Sequence, residues 1–321
     1  MHNFLSWMIF LAISSLLGAT GCEKRDEPIR VDFLKTVQVE RPSEINAASQ
    51  EELRIAIGAM VSPKETLSSY QDLLNYLALK LGKRLILVQR KTYGQINEML
   101  GQGDVDLAFL CSGPYVAGKD KYGFELLAAP EVNGSHFYNA YLIVNRNSGL
   151  ERLEDLKGRT FALTDPDSNT GYLAPAGWLK KLGTTPEEFF GSTVYTYSHD
   201  NSILAVSKGL VEGASVDGLI WDFYSKSNSE MTGKTRVIHK SEDFGIPPVV
   251  AGKHVSGDTK LAVKRALFQM REDPEGAAIL DTLMIDRFVE ANDSWYDSIR
   301  RTMQVTAGPT VSHDGLPKPK D

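Results

Sequence analysis

The chain has 321 residues, 42% of them hydrophobic, enough to bury a sizeable core and to build about two domains. Its net charge of −6 comes with no basic stripe, which argues against nucleic acid as a partner. The balance leaves an anionic ligand open, because a pocket binds through local dipoles whatever the global charge.

Residues 4–17 form an apolar run too short to span a bilayer comfortably, ending in Leu17-Gly-Ala-Thr-Gly-Cys22. A short hydrophobic stretch, small residues and then a cysteine resemble a bacterial lipoprotein signal over residues 1–22, with Cys22 as the lipidated residue. An ordinary export signal or a membrane anchor is the alternative. Residues 23–51 are charged and polar, with Pro28 and Pro42, and read as a flexible tether. Cys111 is then the one remaining cysteine. It follows the apolar run Val105-Asp-Leu-Ala-Phe-Leu110 and reads as a buried thiol, so stability falls to the core and not to a disulfide.

The fold begins at Leu53-Arg-Ile-Ala-Ile-Gly-Ala-Met60, a strand that runs into a loop over residues 61–66. Leu67, Tyr70, Leu73, Leu74, Leu77 and Leu81 recur at helical spacing before Gly82, and Arg84-Leu-Ile-Leu-Val88 is the next strand. Strand, helix, strand is a βαβ unit and predicts a parallel sheet. The same grammar continues with a helix over 93–100, a strand over 105–110, a helix start at Ser112-Gly-Pro-Tyr115, and strands over 125–129 and 139–144. A one-turn helix over 153–158 and a strand over 160–163 follow. Beyond these come a strand at 193–197, a helix at 203–209, a strand over 213–221 with Asp217 inside it, and a strand at 236–239. Two prolines force an extended path through Phe244-Gly-Ile-Pro-Pro-Val-Val-Ala251. Helices over 259–270 and 275–283 close the core, and residues 306–321 read as a loose tail.

The pattern predicts two α/β lobes with the first resumed after the second. Lobe I takes residues 52–142 plus 245–305 and lobe II takes 143–244. The chain crosses near residues 142–149 and returns near 240–248. Each lobe is expected to be a mostly parallel sheet flanked by helices, with a ligand cleft between the lobes.

Enzyme motifs come out negative: there is no G-x-S-x-G elbow, no P-loop and no H-E-x-x-H. Gly101-Gln-Gly103 precedes a strand, where a dinucleotide fingerprint would follow one. The histidines lack metal-ligand spacing, so neither a metal nor a cofactor is expected. What recurs is a set of polar groups where strands give way to helices: Thr66, Tyr93, Ser112, residues 168–171 and residues 198–202. In an open α/β sheet those ends line the ligand crevice. The fullest of them is Asp165-Pro-Asp-Ser-Asn-Thr-Gly-Tyr-Leu-Ala-Pro175, a polar turn between a strand and a helix. The unpaired N–H groups and partial positive charge of a helix start suit an oxyanion there, and simple helix capping is the alternative.

That stretch, followed by Ser198-His-Asp-Asn-Ser-Ile-Leu-Ala-Val206, resembles the phosphonate/phosphite/phosphate-binding proteins of bacterial ABC importers. Val105-Asp-Leu-Ala-Phe109 and Val211-Glu-Gly-Ala-Ser-Val-Asp217 fit the same family, and the resemblance spans residues 53–303. It implies the two-lobed type 2 periplasmic-binding fold. It places the phosphonate-gripping turn on Ser168, Asn169, Thr170 and Gly171, with His199 on the same group and Tyr93 reaching from the opposite lobe. Thr66, Ser112 and Asp217 are further candidates.

The sequence departs from members that bind aminoethylphosphonate. It has Leu110-Cys111-Ser112 where they place a tyrosine, and Ile246-Pro-Pro248 near one of their two ammonium-binding acids, while Asp217 stands near the other. An unpaired buried ammonium is costly, so aminoethylphosphonate is not the expected favourite. The resulting expectation is a monomeric substrate-binding lipoprotein that hands a small phosphorus oxyanion to an ABC permease and its ATPase. A ligand-sensing module for a membrane signalling partner, or an enzyme acting on a phosphonate or phosphate ester, remains open.

Overall fold

In a computed structural model of the chain, the structure describes residues 37–38, 51–58 and 60–306. The lipoprotein-type signal, Cys22, most of the tether and all of the tail except Thr306 lie outside the described residues. No described helix is long and apolar enough to cross a membrane.

Lobe I opens with strands β1 (Val37–Gln38) and β2 (Glu52–Ile57), helix α1 (Pro63–Leu81), β3 (Arg84–Val88), α2 (Tyr93–Gln102), β4 (Leu107–Phe109), α3 (Ser112–Tyr122) and β5 (Glu125–Glu131). The chain crosses through β6 (Phe137–Tyr138) into β7 (Ala140–Asn145) and β8 (Thr160–Leu163) of lobe II. Lobe II continues with α4 (Ala174–Lys181), α5 (Pro186–Phe189), β9 (Ser192–Tyr195), α6 (His199–Ser207), β10 (Gly213–Asp217), α7 (Gly218–Ser227), α8 (Ser229–Thr232) and β11 (Thr235–Lys240). It returns through β12 (Phe244–Gly245) to β13 (Val249–Ala251), α9 (Gly257–Phe268), α10 (Pro274–Thr282), β14 (Arg287–Val289) and α11 (Asp297–Thr306).

The two lobes have separate sheets. One runs β1-β3-β2-β4-β13-β5-β14 and the other β11-β7-β10-β8-β9. Both are mixed, which refines the expectation of mostly parallel sheets. Only β2 with β3 and β4, and β8 with β9 and β10, pair in parallel. Those are the strands joined by helical crossovers. β13 and β7 arrive from the other lobe and lie antiparallel to their neighbours.

The crossing itself is an antiparallel pair, with Tyr138 opposite Phe244 and Phe137 opposite Gly245. The expected boundary at residue 142 is therefore moved: all six residues of β7 run in the lobe II sheet, and the crossing sits at β6. A second correction concerns the C-terminal end of lobe I. α11 packs on α4 of lobe II, where a Cβ added to Gly177 would stand 3.1 Å from Thr302. Burial explains it: Ile299 and Tyr296 join Trp178, Leu179 and Phe161 in one apolar cluster.

Each sheet also has a core of its own. In lobe I, Ile55, Leu73, Leu77, Leu107, Leu267 and Leu280 are almost wholly buried together. In lobe II, Ile143, Ile203, Val206 and Val216 do the same. The predicted strand over residues 213–221 ends at Asp217, because its carboxylate Oδ1 accepts from the amides of Leu219 and Ile220 and starts α7.

Candidate functional site

The parallel strand β8 delivers Thr164 and Asp165 to the carboxyl edge of its sheet, and the turn that follows is the one singled out in the sequence. Residues Asn169–Leu173 form a wide π-helical turn before α4, with Leu173 N–H donating to Ser168 O at 3.0 Å and Ala174 N–H to Asn169 O. The helical winding thus begins at Asn169, and Pro175 falls in the first turn of α4. Ser168 Oγ accepts from Gly171 N–H at 3.0 Å, leaving its own hydroxyl hydrogen free to donate. Gly171 is required by space: a Cβ there would stand 2.3 Å from Thr164 Oγ1.

Asn169 and Thr170 are fully buried, yet Asn169 Oδ1 and Thr170 Oγ1 have no hydrogen-bond partner. Asn169 Nδ2 donates to the hydroxyl of Tyr138 at 3.2 Å. A half-turn of that amide lets Tyr138 donate to Oδ1 and puts the NH₂ where the unpartnered Oδ1 stands.

His199, the first residue of α6, sits behind the turn. Its Nδ1 accepts from the backbone N–H of Asp217 at 3.1 Å and lies 3.1 Å from Thr164 Oγ1. Burial pushes its pKa down to about 3, so the ring is neutral. An Nδ1 that accepts leaves the proton on Nε2, and Nε2 has no partner. The hydroxyl of the preceding Ser198 is likewise buried and unpartnered.

Lobe I faces this with Tyr93 at the start of α2. Thr92 and Gln95 cap that helix reciprocally, which aims Tyr93 inward. Its ring is fully buried, its hydroxyl unpartnered, and its backbone N–H donates to Asp165 Oδ2 at 3.2 Å. Tyr93 packs with Met60 and Cys111. Burial raises the Cys111 thiol to about 11, so it is an uncharged wall of the site. Of the seven buried unpartnered side-chain atoms among the described residues, five belong to the turn, to the start of α6 and to the facing Tyr93. Buried donors without partners cost about 1–3 kcal/mol each, so the site calls for an acceptor-rich ligand. The same described residues hold no cluster able to bind a metal.

A family model described as "ABC transporter, phosphonate, periplasmic substrate-binding protein" matches residues 55–296. The chain belongs to that family. The Escherichia coli phosphonates-binding periplasmic protein is 26% identical over 265 residues, 81% of this chain and 78% of that protein. Two crystal structures share the fold. One is a binding protein component of the ABC phosphonate transporter of Pseudomonas aeruginosa, with TM-score 0.76 and 23% identity, covering 81% of this chain and 87% of that one. The other is PhnD1 of Prochlorococcus marinus in complex with methylphosphonate, with TM-score 0.72 and 17% identity, covering 79% and 97%. The chain is thus a periplasmic substrate-binding component of an ABC transporter and not an enzyme.

Two hydroxyls expected to face the ligand of this binding protein are committed elsewhere. Thr66 Oγ1 donates to the carbonyl of Val61 at 3.2 Å, and Ser112 Oγ donates to that of Gly245 at 2.6 Å. Both sit at strand-to-helix junctions, where main-chain carbonyls stand within reach and take their hydrogens. Asp217 lines a cavity beside the site. Burial raises its carboxyl to about 7, so near neutrality it is divided between the protonated and ionised forms, and Oδ1 serves α7.

Tyr138, Ser198 and Asp165 were not singled out individually from the sequence. Asp165 lies in the quoted turn, and its bond to Tyr93 depends on two lobes meeting. Tyr138 stands in β6, and only the position of the crossing reveals that it faces the turn.

The lobes of the binding protein are in contact around the site. Ser62 N–H donates to Asp200 Oδ1 at 2.9 Å, His199 N–H donates to Met60 O at 3.0 Å, and the Lys91 ammonium lies 4.1 Å from the Tyr197 ring centre.

Proposed function

We propose that this protein captures a small phosphorus oxyanion, a phosphonate, phosphite or phosphate, between its lobes and delivers it to an ABC permease and ATPase. The observation that carries the reading is the set of buried, unpartnered donors: Thr170 O–H, Ser198 O–H, His199 Nε2–H and Tyr93 O–H. Ser168 and Asn169 complete the grip on one lobe, with Gly171 N–H holding the Ser168 hydroxyl in place, and Tyr93 closes it from the other. Neutral donors suit this task, since they bind an anion without demanding a counter-charge that water would otherwise solvate. Closure follows hinge bending at the β6/β12 pair. The protein acts as a monomer, held near its permease by a lipid on Cys22.

Aminoethylphosphonate is not the preferred ligand in this reading. The Asp217 carboxyl already accepts two amides and burial raises it to about 7, which makes it a weak charged partner for an ammonium. The test is a thermal-shift panel of phosphate, phosphite, methylphosphonate, aminoethylphosphonate and sulfate. A ligand at a hundred times its Kd stabilises by about 2.7 kcal/mol, a clear shift. If no phosphorus compound moves the melting point, the oxyanion reading is wrong.

A further inference from the structure

Beside the grip lies a second compartment that none of residues 168–171, Tyr93 or His199 lines. It is a cavity of about 140 Å³ between α7 of lobe II and the inner edge of lobe I. Its walls are mostly apolar, with Leu219, Ile220 and Phe223 on one side and Met60, Leu110 and Ile246 on the other. Two of its lining residues belong also to the surroundings of the grip. The amide N–H of Asp217 holds His199 Nδ1, and Met60 packs on Tyr93 and Cys111. The cavity therefore begins one side chain away from the donors. A third wall residue, Tyr224, is buried with a hydroxyl that has no partner.

A phosphite or phosphate has nothing to place there. We propose that the cavity seats the organic substituent of the ligand, an apolar aliphatic or aromatic group of about six heavy atoms joined to phosphorus, in keeping with the ~150 Å³ apolar cavity that takes benzene. The inference rests on the oxyanion reading given above and adds to it the class of substituent.

The charged groups of the walls stand on one side only, at the end of β10 and along α7. Asp217, Asp222 and Lys226 line that side, and Lys226 stands close enough to Asp222 to counter the burial that raises its carboxyl, so the two partly offset one another. Asp222 Oδ2 accepts from the Tyr141 hydroxyl at 3.1 Å and Asp217 Oδ1 accepts two amides, so a charged substituent would have to find its counter-charge on this one wall or displace these bonds. An apolar chain needs neither. It replaces water held against apolar walls, and each buried methylene tightens binding by about fourfold.

The experiment is calorimetric titration of the full chain with phosphite and with methyl-, butyl-, phenyl- and aminoethylphosphonate. Butyl- and phenylphosphonate are expected to bind at least tenfold tighter than methylphosphonate. Two substitutions that narrow the cavity from opposite lobes, Ile285→Trp and Phe223→Trp, are expected to remove that advantage while leaving methylphosphonate affinity unchanged, which also reports an intact fold. Methylphosphonate binding as tightly as the larger ligands, a butyl advantage that survives both tryptophans, or aminoethylphosphonate binding tightest would each overturn the inference and leave the oxyanion reading standing. Failure of every phosphorus compound to bind would overturn both.

Discussion

The backbone N–H of Asp217 donates to Nδ1 of His199 at 3.1 Å, and this one bond decides which way the imidazole points its proton. A main-chain N–H cannot accept, so the neutral ring must carry hydrogen on Nε2 and offer it away from β10. A strand end on lobe II thus turns a buried histidine into a fixed donor at neutral pH.

The same burial gives the histidine a signature in acid. Its pKa is lowered from 6.5 to about 3 in the fold. Between those values the unfolded chain takes up a proton that the folded chain refuses, so stability falls as pH drops through this window. His199→Asn keeps a donor and an acceptor but does not titrate. From pH 6.5 to 5 the natural protein should lose on the order of 2 kcal/mol more stability than the variant, measured by urea unfolding. Equal losses would mean that the ring is not held neutral.

Asp217 shifts the other way. Its folded pKa is raised from 3.8 to about 7 by burial, so its contribution is fully present below pH 3.8 and is lost as pH rises toward 7. Asp217→Asn retains an oxygen for the amides of Leu219 and Ile220 and cannot ionise. At pH 8 the variant should be the more stable by up to about 4 kcal/mol, with the difference vanishing near pH 4. Thermal melts across that range check both the sign and the window.

Thr170→Val removes a buried hydroxyl that has no partner in the fold and replaces it with a methyl of the same shape. Ligand affinity should fall by roughly 1–3 kcal/mol, while the unliganded melting point holds or rises. A drop in unliganded stability without a loss of affinity would place the hydroxyl in the fold's own bonding.

Gly113 on α3 meets the turn from the opposite lobe. A Cβ there would stand 2.4 Å from Asp167 O and 3.0 Å from Asn169 N, both main-chain atoms that cannot swing aside. Gly113→Ala should therefore keep the lobes from closing fully. The expected result is at least a tenfold loss of affinity with a larger radius of gyration in solution scattering, and little change in the melting of the lobes themselves. An unchanged radius with ligand present would show that closure does not depend on this contact.

Local chemistry made much of this legible from the chain alone. The leucine spacing of α1, the near-continuous apolar runs of β3 and β4 and the Gly stops after helices identify elements whose period is set by their own backbone geometry. The turn around Ser168 and Gly171 was visible too, because strand, polar turn and helix start are neighbours in sequence. Tertiary structure alone decided which hydroxyls are free. Thr66, Ser112, Thr170 and Tyr93 look alike as polar residues at strand ends, yet two are satisfied by carbonyls of Val61 and Gly245 and two have no partner. That difference depends on acceptors brought in from far along the chain, as Gly245 is to Ser112. The same holds for strand direction, since β13 and β7 run antiparallel only because the chain changes lobes before and after them. Sequence period reports what a segment buries; what it is left to bind is set by the segments that fold against it.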